Sequence, residues 1–241
     1  MIRDDIYSCQ HDLVETFCFD EKVVAVFQDM IRRSVPGYGM VLSIISVLAE
    51  TYLQKKTTVY DLGSSLGASS LALSTVAAAR ECRIIGIDNS AAMITQCKKN
   101  LTKIQPPINI ELKREDIRQT ELNNTSIVML NFTLQFIPPT DREPLVKKIF
   151  NSLLPNGILI LSEKIVGENK ESDQFLYNLH HGFKRANGYS QLEVSQKRSS
   201  LEGMMITEKI TQHKKRLLNS GFRQVELIFQ AFNFVTLVAV K

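Results

Sequence analysis

The chain of 241 residues contains no tryptophan and only four cysteines. Cys9, Cys18, Cys82 and Cys97 have neither the spacing of a zinc ribbon nor that of a CxxC redox pair, which argues against a cysteine-based metal or redox site. The most apolar segment, residues 40–53, is too short and too polar to span a bilayer, and the first residues lack the features of a signal peptide. We therefore expect a cytoplasmic chain with reduced thiols and no membrane partner.

The chain also has little excess of either charge, because its formal net charge is only +4. Hydrophobic residues make up 44% and charged residues 22%, which is typical of a globular chain and excludes disorder and coiled coils. The one basic run, His213–Arg216, has no interleaved aromatic residues. We expect it to be a solvated helix face, so no direct binding of nucleic acid is predicted, although an anionic small ligand is permitted.

The hydrophobic pattern predicts alternating strands and helices, which favours an α/β fold with a doubly wound, mostly parallel sheet. Thr140 and Glu143 have the spacing of a capping box, and Pro155–Gly157 is expected to end the helix that follows them. The seven predicted strands are 57–62, 82–88, 108–113, 126–132, 158–162, 224–229 and 233–240. The predicted helices are 21–33, 41–52, 68–79, 90–103, 140–153, 173–186 and 191–196, with a further helix within 204–220.

We expect one compact domain over residues 1–241. It divides into an N-terminal helical segment (1–54), a ligand-binding core (55–165), a helical cap (166–220) and a closing hairpin (221–241). The N-terminal helices and the cap should cover the carboxyl edge of the sheet, where ligands bind in this architecture.

The most informative motif is Asp61–Gly67 (DLGSSLG), at a predicted turn from strand to helix. Gly63 permits a sharp turn, and the small residues Ser64 and Ser65 let backbone N–H groups approach a ligand. The motif is not GxGxxG, which disfavours a nicotinamide enzyme. An acid two residues before the first glycine resembles instead the D/E-x-G-x-G-x-G turn of class I S-adenosylmethionine-dependent enzymes, with Ser65 in place of the middle glycine.

Polar residues follow the next predicted strands in the order that such a site requires. Asp88 can accept hydrogen bonds from both ribose hydroxyls. Asp116 can accept from an adenine amino group, while Ile117 packs on the ring. Asn131 ends the fourth strand at the same edge of the sheet. The segment Leu154–Glu163 resembles the L-x-P-G-G-x-L segment of that superfamily.

Motifs outside the core make the resemblance more specific. From Phe19 to the final strand, the chain resembles the carboxy-S-adenosyl-L-methionine synthase family. The motifs that carry this resemblance are Pro36–Gly39 (PGYG), Asp61–Gly67 (DLGSSLG), Gly86–Ser90 (GIDNS), Asn131–Phe136 (NFTLQF), Phe183–Tyr189 (FKRANGY) and Gln196–Ser199 (QKRS).

The resemblance implies a bacterial homodimer that uses prephenate to carboxylate S-adenosylmethionine, releasing phenylpyruvate, without a metal. Prephenate loses carbon dioxide and hydroxide, and an ylide formed from the sulfonium methyl group captures the carbon dioxide. A separate transferase, which could contact this protein, then uses the product to modify the wobble uridine of tRNA. The ligand contacts that the resemblance implies are Tyr38, Gly63, Ser64, Ser65, Asp88, Asn89, Asp116, Ile117, Asn131 and Arg198.

Arg198 is also favoured by electrostatics. The carboxylated product carries a negative charge that needs a partner in a buried pocket, and the planar guanidinium group suits a carboxylate best. Arg198 could reach the site from the partner subunit. A methyl-transferring enzyme has no use for a cation beside the sulfonium. No residue is an evident general base, and His180, His181, Lys184 and Arg185 are weaker candidates for contact with prephenate.

Two alternatives remain at this point. A conventional S-adenosylmethionine-dependent methyltransferase acting on a small molecule or tRNA has the same core motifs. A tRNA-binding module with a vestigial fold would use the basic run instead, and steep salt dependence of tRNA binding would support it.

Overall fold

A computed structural model describes residues 2–10 and 14–241. The remaining residues, 1 and 11–13 of the expected N-terminal segment, lie outside the described part. The central sheet has the order β3-β2-β1-β4-β5-β8-β7, with a two-residue β6 paired to β5. The strands are β1 (Thr58–Leu62), β2 (Arg83–Asp88), β3 (Ile110–Arg114), β4 (Thr125–Asn131), β5 (Leu153–Val166), β6 (Glu208–Lys209), β7 (Gln224–Ala231) and β8 (Phe234–Val240).

The sheet is doubly wound, as the sequence predicts. Strands β1 to β5 form parallel pairs, and β8 joins antiparallel to both β5 and β7. The predicted closing hairpin is therefore confirmed, and the short β6 is the strand that the sequence did not indicate. The winding direction reverses between β1 and β4, so the carboxyl ends of these two strands flank the crevice where ligands bind in such folds.

Helices cover both faces of the sheet. The two large clusters of buried apolar side chains lie on opposite faces, which explains why β1 and nearly all of β4 are buried. The helices are α1 (Glu21–Ser34), α2 (Tyr38–Tyr52), α3 (Ala68–Ala72), α4 (Ser74–Ala79), α5 (Ala91–Ile104), α6 (Pro139–Ser152), α7 (Lys170–Ala186), α8 (Gln191–Leu201) and α9 (Ile210–Asn219), with a 3-10 turn at Leu134–Phe136.

Several predicted boundaries are wrong. Thr140 is not an N-cap, because α6 begins at Pro139 after Pro138, where proline suits the first helical turn. Pro155–Gly157 does not end that helix but lies within β5, which starts at Leu153. The predicted helix 68–79 is interrupted at Leu73. The helix predicted within 204–220 is confirmed as α9.

A buried ionic network explains why residues before α9 are not helical. The side chain of Arg142 is fully buried, and its guanidinium group lies 2.6 Å from Glu208 in β6. The same group donates to the carbonyl oxygens of Ile137 (2.9 Å) and Ile206 (2.7 Å). Because an unpaired buried guanidinium is costly, residues 206–208 are held extended against the end of β5. The network joins the cap segment to the sheet.

No single helix in the described residues is long and apolar enough to cross a membrane. Only α1 and α2 taken together reach that length and composition, and they are bent by 92° at their break.

Candidate functional site

One cavity of about 750 Å³ opens at the carboxyl ends of β1 and β4. This volume lies within the usual range for small-molecule sites. Nine of the ten predicted ligand contacts line it: Tyr38, Gly63, Ser64, Ser65, Asp88, Asn89, Asp116, Ile117 and Asn131.

The turn after β1 is locked in a conformation that exposes its backbone to the cavity. Gly63 has φ +82° and Ser65 has φ +47°, both in the left-handed region. The N–H groups of Gly63 and Ser64 donate to the carbonyl oxygen of Ile87, at 2.8 and 2.9 Å, which fixes the turn to β2. A Cβ atom at Gly63 would lie 2.4 Å from Oγ1 of Thr133. The turn therefore needs glycine at this position for both its conformation and its space.

Asp61 stabilises the helix after this turn and does not line the cavity. Its carboxylate accepts from the backbone N–H (3.1 Å) and the hydroxyl (2.7 Å) of Ser70 in α3. Burial raises the pKa of Asp61 to about 6, against the lowering effect of the Ser70 hydrogen bonds. The acid of the motif thus positions the helix that follows the turn.

Asp88 ends β2 with each carboxylate oxygen accepting one backbone N–H group. Ser65 donates to Oδ2 and Ser90 to Oδ1, both at 2.9 Å. Burial raises the pKa of Asp88, and the two N–H groups oppose that rise. Each oxygen retains a further lone pair. The carboxylate can therefore accept two hydroxyl groups from a bound ribose.

Asp116 is held by Arg118 at the rim of the cavity. The guanidinium group of Arg118 lies 2.6 Å from Oδ2 of Asp116 and also contacts Asp141 at 2.7 Å. Hydrogen bonds from Arg118 lower the pKa of Asp116, so its carboxylate stays charged. The neighbouring Ile117 is buried and offers an apolar surface to an adenine ring.

Some buried polar atoms of the cavity wall have no hydrogen-bond partner among the described residues. They include Oδ1 of Asn131 and Oγ of Ser64. The amide nitrogen of Asn131 is already used, because it donates to the Ser69 hydroxyl at 2.9 Å. Since buried polar groups normally find partners, both atoms fit a ligand that carries hydrogen-bonding groups, as S-adenosylmethionine does.

Aromatic side chains that the sequence did not single out form part of the cavity wall. Phe19 makes edge contacts with Phe17, Phe27 and Phe136, at centroid distances of 5.1, 6.4 and 5.3 Å. The carbonyl oxygen of Phe19 accepts from the Ser90 hydroxyl at 2.6 Å. The segment before α1 is thereby attached to the start of α5. Phe19 precedes the first predicted helix without a regular pattern, so no local signal indicated this role.

Tyr38 lies on the other side of the cavity. Its ring packs against Phe132 at a centroid distance of 6.3 Å. Burial raises its pKa, so the hydroxyl keeps its proton and can donate to a ligand.

Arg198 does not line the cavity of its own chain. It is exposed on α8 and donates to the hydroxyl of Tyr177 at 3.0 Å. Among the weaker candidates, Lys184 and His180 do line the cavity, whereas Arg185 is exposed and His181 stacks on Tyr177 at 3.9 Å.

His180 is neutral in this environment. Burial, together with the charges of Lys184 and Lys164, lowers its pKa to about 2. Its Nε2 lies 2.9 Å from the carbonyl oxygen of Ser34, which can only accept, so the ring donates there. The His180 ring is thus a fixed part of the wall rather than a free base. No cluster of metal-ligating side chains occurs in the described ranges.

Comparison with known proteins agrees with this geometry. A family profile described as "Methyltransferase domain" matches residues 59–157. A carboxy-S-adenosyl-L-methionine synthase from Haemophilus ducreyi is 50% identical over 241 residues, covering 100% of this chain and 99% of that protein. The chain belongs to the carboxy-S-adenosyl-L-methionine synthase family. A synthase from Klebsiella pneumoniae is 48% identical over 99% of this chain and 97% of its own length.

The fold has wider relatives. An O-methyltransferase family protein from Burkholderia thailandensis superposes with a TM-score of 0.63 at 11% identity, over 92% of this chain and 60% of that one. The likeness shows a shared fold only. The predicted family and the predicted Rossmann-like methyltransferase fold are both confirmed, and the cap lies outside the segment that the domain profile matches.

The turn at Gly63 supplies a direct test of the binding site in this synthase family member. A Gly63→Ala variant should lose at least about tenfold in affinity for S-adenosylmethionine, because alanine is strained at positive φ and its Cβ collides with Thr133. Calorimetric titration measures the loss. Gly182→Ala is the matched control, since a Cβ there meets nothing within 4 Å. Unchanged affinity in a folded Gly63→Ala variant would place the ligand elsewhere.

Proposed function

We propose that this chain converts S-adenosyl-L-methionine and prephenate into carboxy-S-adenosyl-L-methionine and phenylpyruvate. The observation that carries the proposal is the convergence of nine predicted contact residues on one cavity, in a chain that is half identical to carboxy-S-adenosyl-L-methionine synthases over its full length.

The proposed reaction balances without a further reactant. Prephenate loses carbon dioxide and hydroxide as its ring becomes aromatic, and the sulfonium methyl group loses a proton. The carbanion of the ylide forms a carbon–carbon bond to the carbon dioxide, while the proton and the hydroxide make water. The protein's part is to hold both substrates together and to keep carbon dioxide from escaping. The partly enclosed cavity and its aromatic wall support this role.

We also propose that the enzyme acts as a homodimer in the bacterial cytoplasm. Within its own chain Arg198 is exposed and outside the cavity, which is the arrangement expected if it serves the partner subunit. The product would supply the carboxymethyl group for wobble-uridine modification by a separate tRNA transferase, with which the protein could associate. No direct contact with nucleic acid is proposed.

The mass of the small molecule released from freshly purified, denatured protein tests the activity. We expect an ion heavier than S-adenosylmethionine by one carbon dioxide, and the same ion after incubation with S-adenosylmethionine and prephenate. S-adenosylmethionine or its demethylated product alone, together with activity on an acceptor in the absence of prephenate, would favour a conventional methyltransferase, because the fold is common to both.

A further inference from the structure

Three lysines from three different elements line the same cavity. Lys164 lies on β5, Lys184 on α7 and Lys197 on α8. Lys184 is only 7% exposed and Lys197 only 6% exposed, and Lys164 is half-buried. Lysine is seldom buried to this extent unless it is paired with an acid or a ligand. These three residues are the lysine cluster.

The lysine cluster is not neutralised by the chain. The ammonium groups of Lys164 and Lys184 have no hydrogen-bond or ion-pair partner among residues 2–10 and 14–241. Lys197 lies 3.5 Å from Oδ2 of Asp4, and the same oxygen accepts from the hydroxyl of Tyr189. The charges of two carboxylates act on the cluster, Asp4 on Lys184 and Lys197 and Asp173 on Lys164, but only Lys197 forms an ion pair.

Burial and mutual repulsion make the cluster unfavourable in the free protein. Burial, with the charges of Lys197 and Lys164, lowers the pKa of Lys184 to about 7, while Asp4 opposes the change. Burial lowers the pKa of Lys197 to about 8, again against the effect of Asp4. An arrangement that is costly without an anion is one that an anion stabilises.

A row of rings connects the cluster with the residues around the Gly63 turn. Tyr38 packs on Phe132, Phe132 contacts Phe234 at 5.8 Å, and Phe234 contacts His180 at 4.8 Å. Lys164 is directly opposite Phe234 in the pairing of β5 with β8. The cavity therefore runs from the carboxylates at Asp88 and Asp116, past an apolar middle, to the lysines.

We propose that the lysine cluster binds the carboxylate groups of the second substrate, a dicarboxylate, beside the S-adenosylmethionine site. This inference rests on the proposed function. Lys164 and Lys184, which have no ion-pair partner among the described residues, match the two carboxylates of a dicarboxylate, and the aromatic row suits a ring that becomes aromatic during the reaction. Arg198, if the partner subunit supplies it, binds the carboxylate group of the product instead.

Calorimetric titration of prephenate into the protein saturated with the demethylated product of S-adenosylmethionine, which lacks the methyl group that is carboxylated, measures binding without turnover and tests the proposal. Lys184→Gln and Lys164→Gln should each weaken prephenate binding about 10- to 100-fold, as expected for the loss of a charge-assisted hydrogen bond. Affinity for S-adenosylmethionine should be unchanged in both. Lys184→Arg should recover part of the prephenate affinity. Lys170→Gln, at the exposed start of α7, is the matched control.

Thermal unfolding without ligand supplies a second measurement. If the cluster binds prephenate, Lys184→Met should weaken prephenate binding. The same variant should raise the unfolding temperature, because an unpaired buried charge is removed. A lysine with a structural role would lower the unfolding temperature when replaced. Such a decrease, with normal prephenate binding, would overturn the proposal.

The possible outcomes separate this inference from the proposed function. If the unaltered protein does not bind prephenate, the proposed function fails and the inference fails with it. If the unaltered protein binds prephenate and the lysine variants bind it equally well, only the inference fails. If the variants lose affinity for S-adenosylmethionine instead, the lysines hold the methionine carboxylate, and the inference is again wrong.

Discussion

An Asp88→Asn variant is expected to lose at least about 100-fold in affinity for S-adenosylmethionine. The two carboxylate oxygens each accept one backbone N–H, from Ser65 and from Ser90, and each has capacity for a ribose hydroxyl. An asparagine turns one of these acceptors into a donor facing an N–H group. Hydrogen bonds to a charged group contribute about 1.5–3 kcal/mol each, so losing two corresponds to at least two orders of magnitude.

Equilibrium dialysis or calorimetry with S-adenosylmethionine measures this loss. Glu121→Gln is the matched control, because Glu121 is an exposed carboxylate that does not line the cavity. An Asp88→Asn variant that unfolds normally and binds within threefold of the unaltered protein would show that the carboxylate does not contact the ribose.

The second large effect is expected at Arg198. An Arg198→Ala variant should bind S-adenosylmethionine within about fivefold of the unaltered protein, since the residue is exposed and outside its own cavity. Its affinity for carboxy-S-adenosyl-L-methionine should fall about 10- to 100-fold, because the added carboxylate loses its cation. Calorimetry with both ligands measures the change in preference. Arg185→Ala is the control, and equal relative loss for the two ligands would contradict the assignment.

Mixed dimers of the proposed homodimer can test which subunit supplies Arg198. Arg198→Ala and Asp88→Asn subunits are each inactive alone under this assignment. After refolding in equal amounts, half of the dimers are mixed, and each mixed dimer has one complete site if Arg198 acts across the interface. Recovery of about a quarter of the unaltered activity is then expected. No recovery, with mixed dimers demonstrated by mass, would place Arg198 in the site of its own chain.

The central sheet could be predicted from the sequence because its strands are short apolar runs with clear ends. The predicted helix 90–103 starts where α5 is capped, since the hydroxyl of Ser90 accepts from the N–H of Met93 at 3.1 Å. Prediction failed where tertiary contacts decide the conformation. Pro155–Gly157 has the composition of a turn, yet it forms an irregularity inside β5, because Leu153 already pairs with Thr125 of β4 and the pairing resumes at Ile158 after a register shift. Residues 206–208 are extended because Arg142 and Glu208 meet, and no local pattern shows that pairing.

The residues of the candidate site also fall into those that the sequence could predict and those that it could not. Gly63, Asp88 and Asn131 could be found because each follows a strand at the same edge of the sheet, where position along the chain determines position in space. Of the lysine cluster, only Lys184 was a candidate from the sequence, because Lys164 and Lys197 lie 33 residues apart and look like ordinary surface charges. The role of these lysines depends on their burial, and their burial depends on how the cap packs over the sheet.

Asp4 anchors the residues before α1 to helices α1 and α8. Its backbone N–H donates to Asp29 at 2.8 Å, its carbonyl oxygen accepts from Arg33 at 3.1 Å, and its side chain faces Lys197. A shortened protein that starts at the first helix would take from buried Arg33 a carbonyl acceptor and from buried Lys197 its ion-pair partner, a loss of about 3–5 kcal/mol where a buried pair is broken. Removing this terminus for crystallisation or tagging would thus remove contacts that stabilise two buried cationic side chains. The terminus nevertheless lies far outside the segment that the methyltransferase domain profile matches.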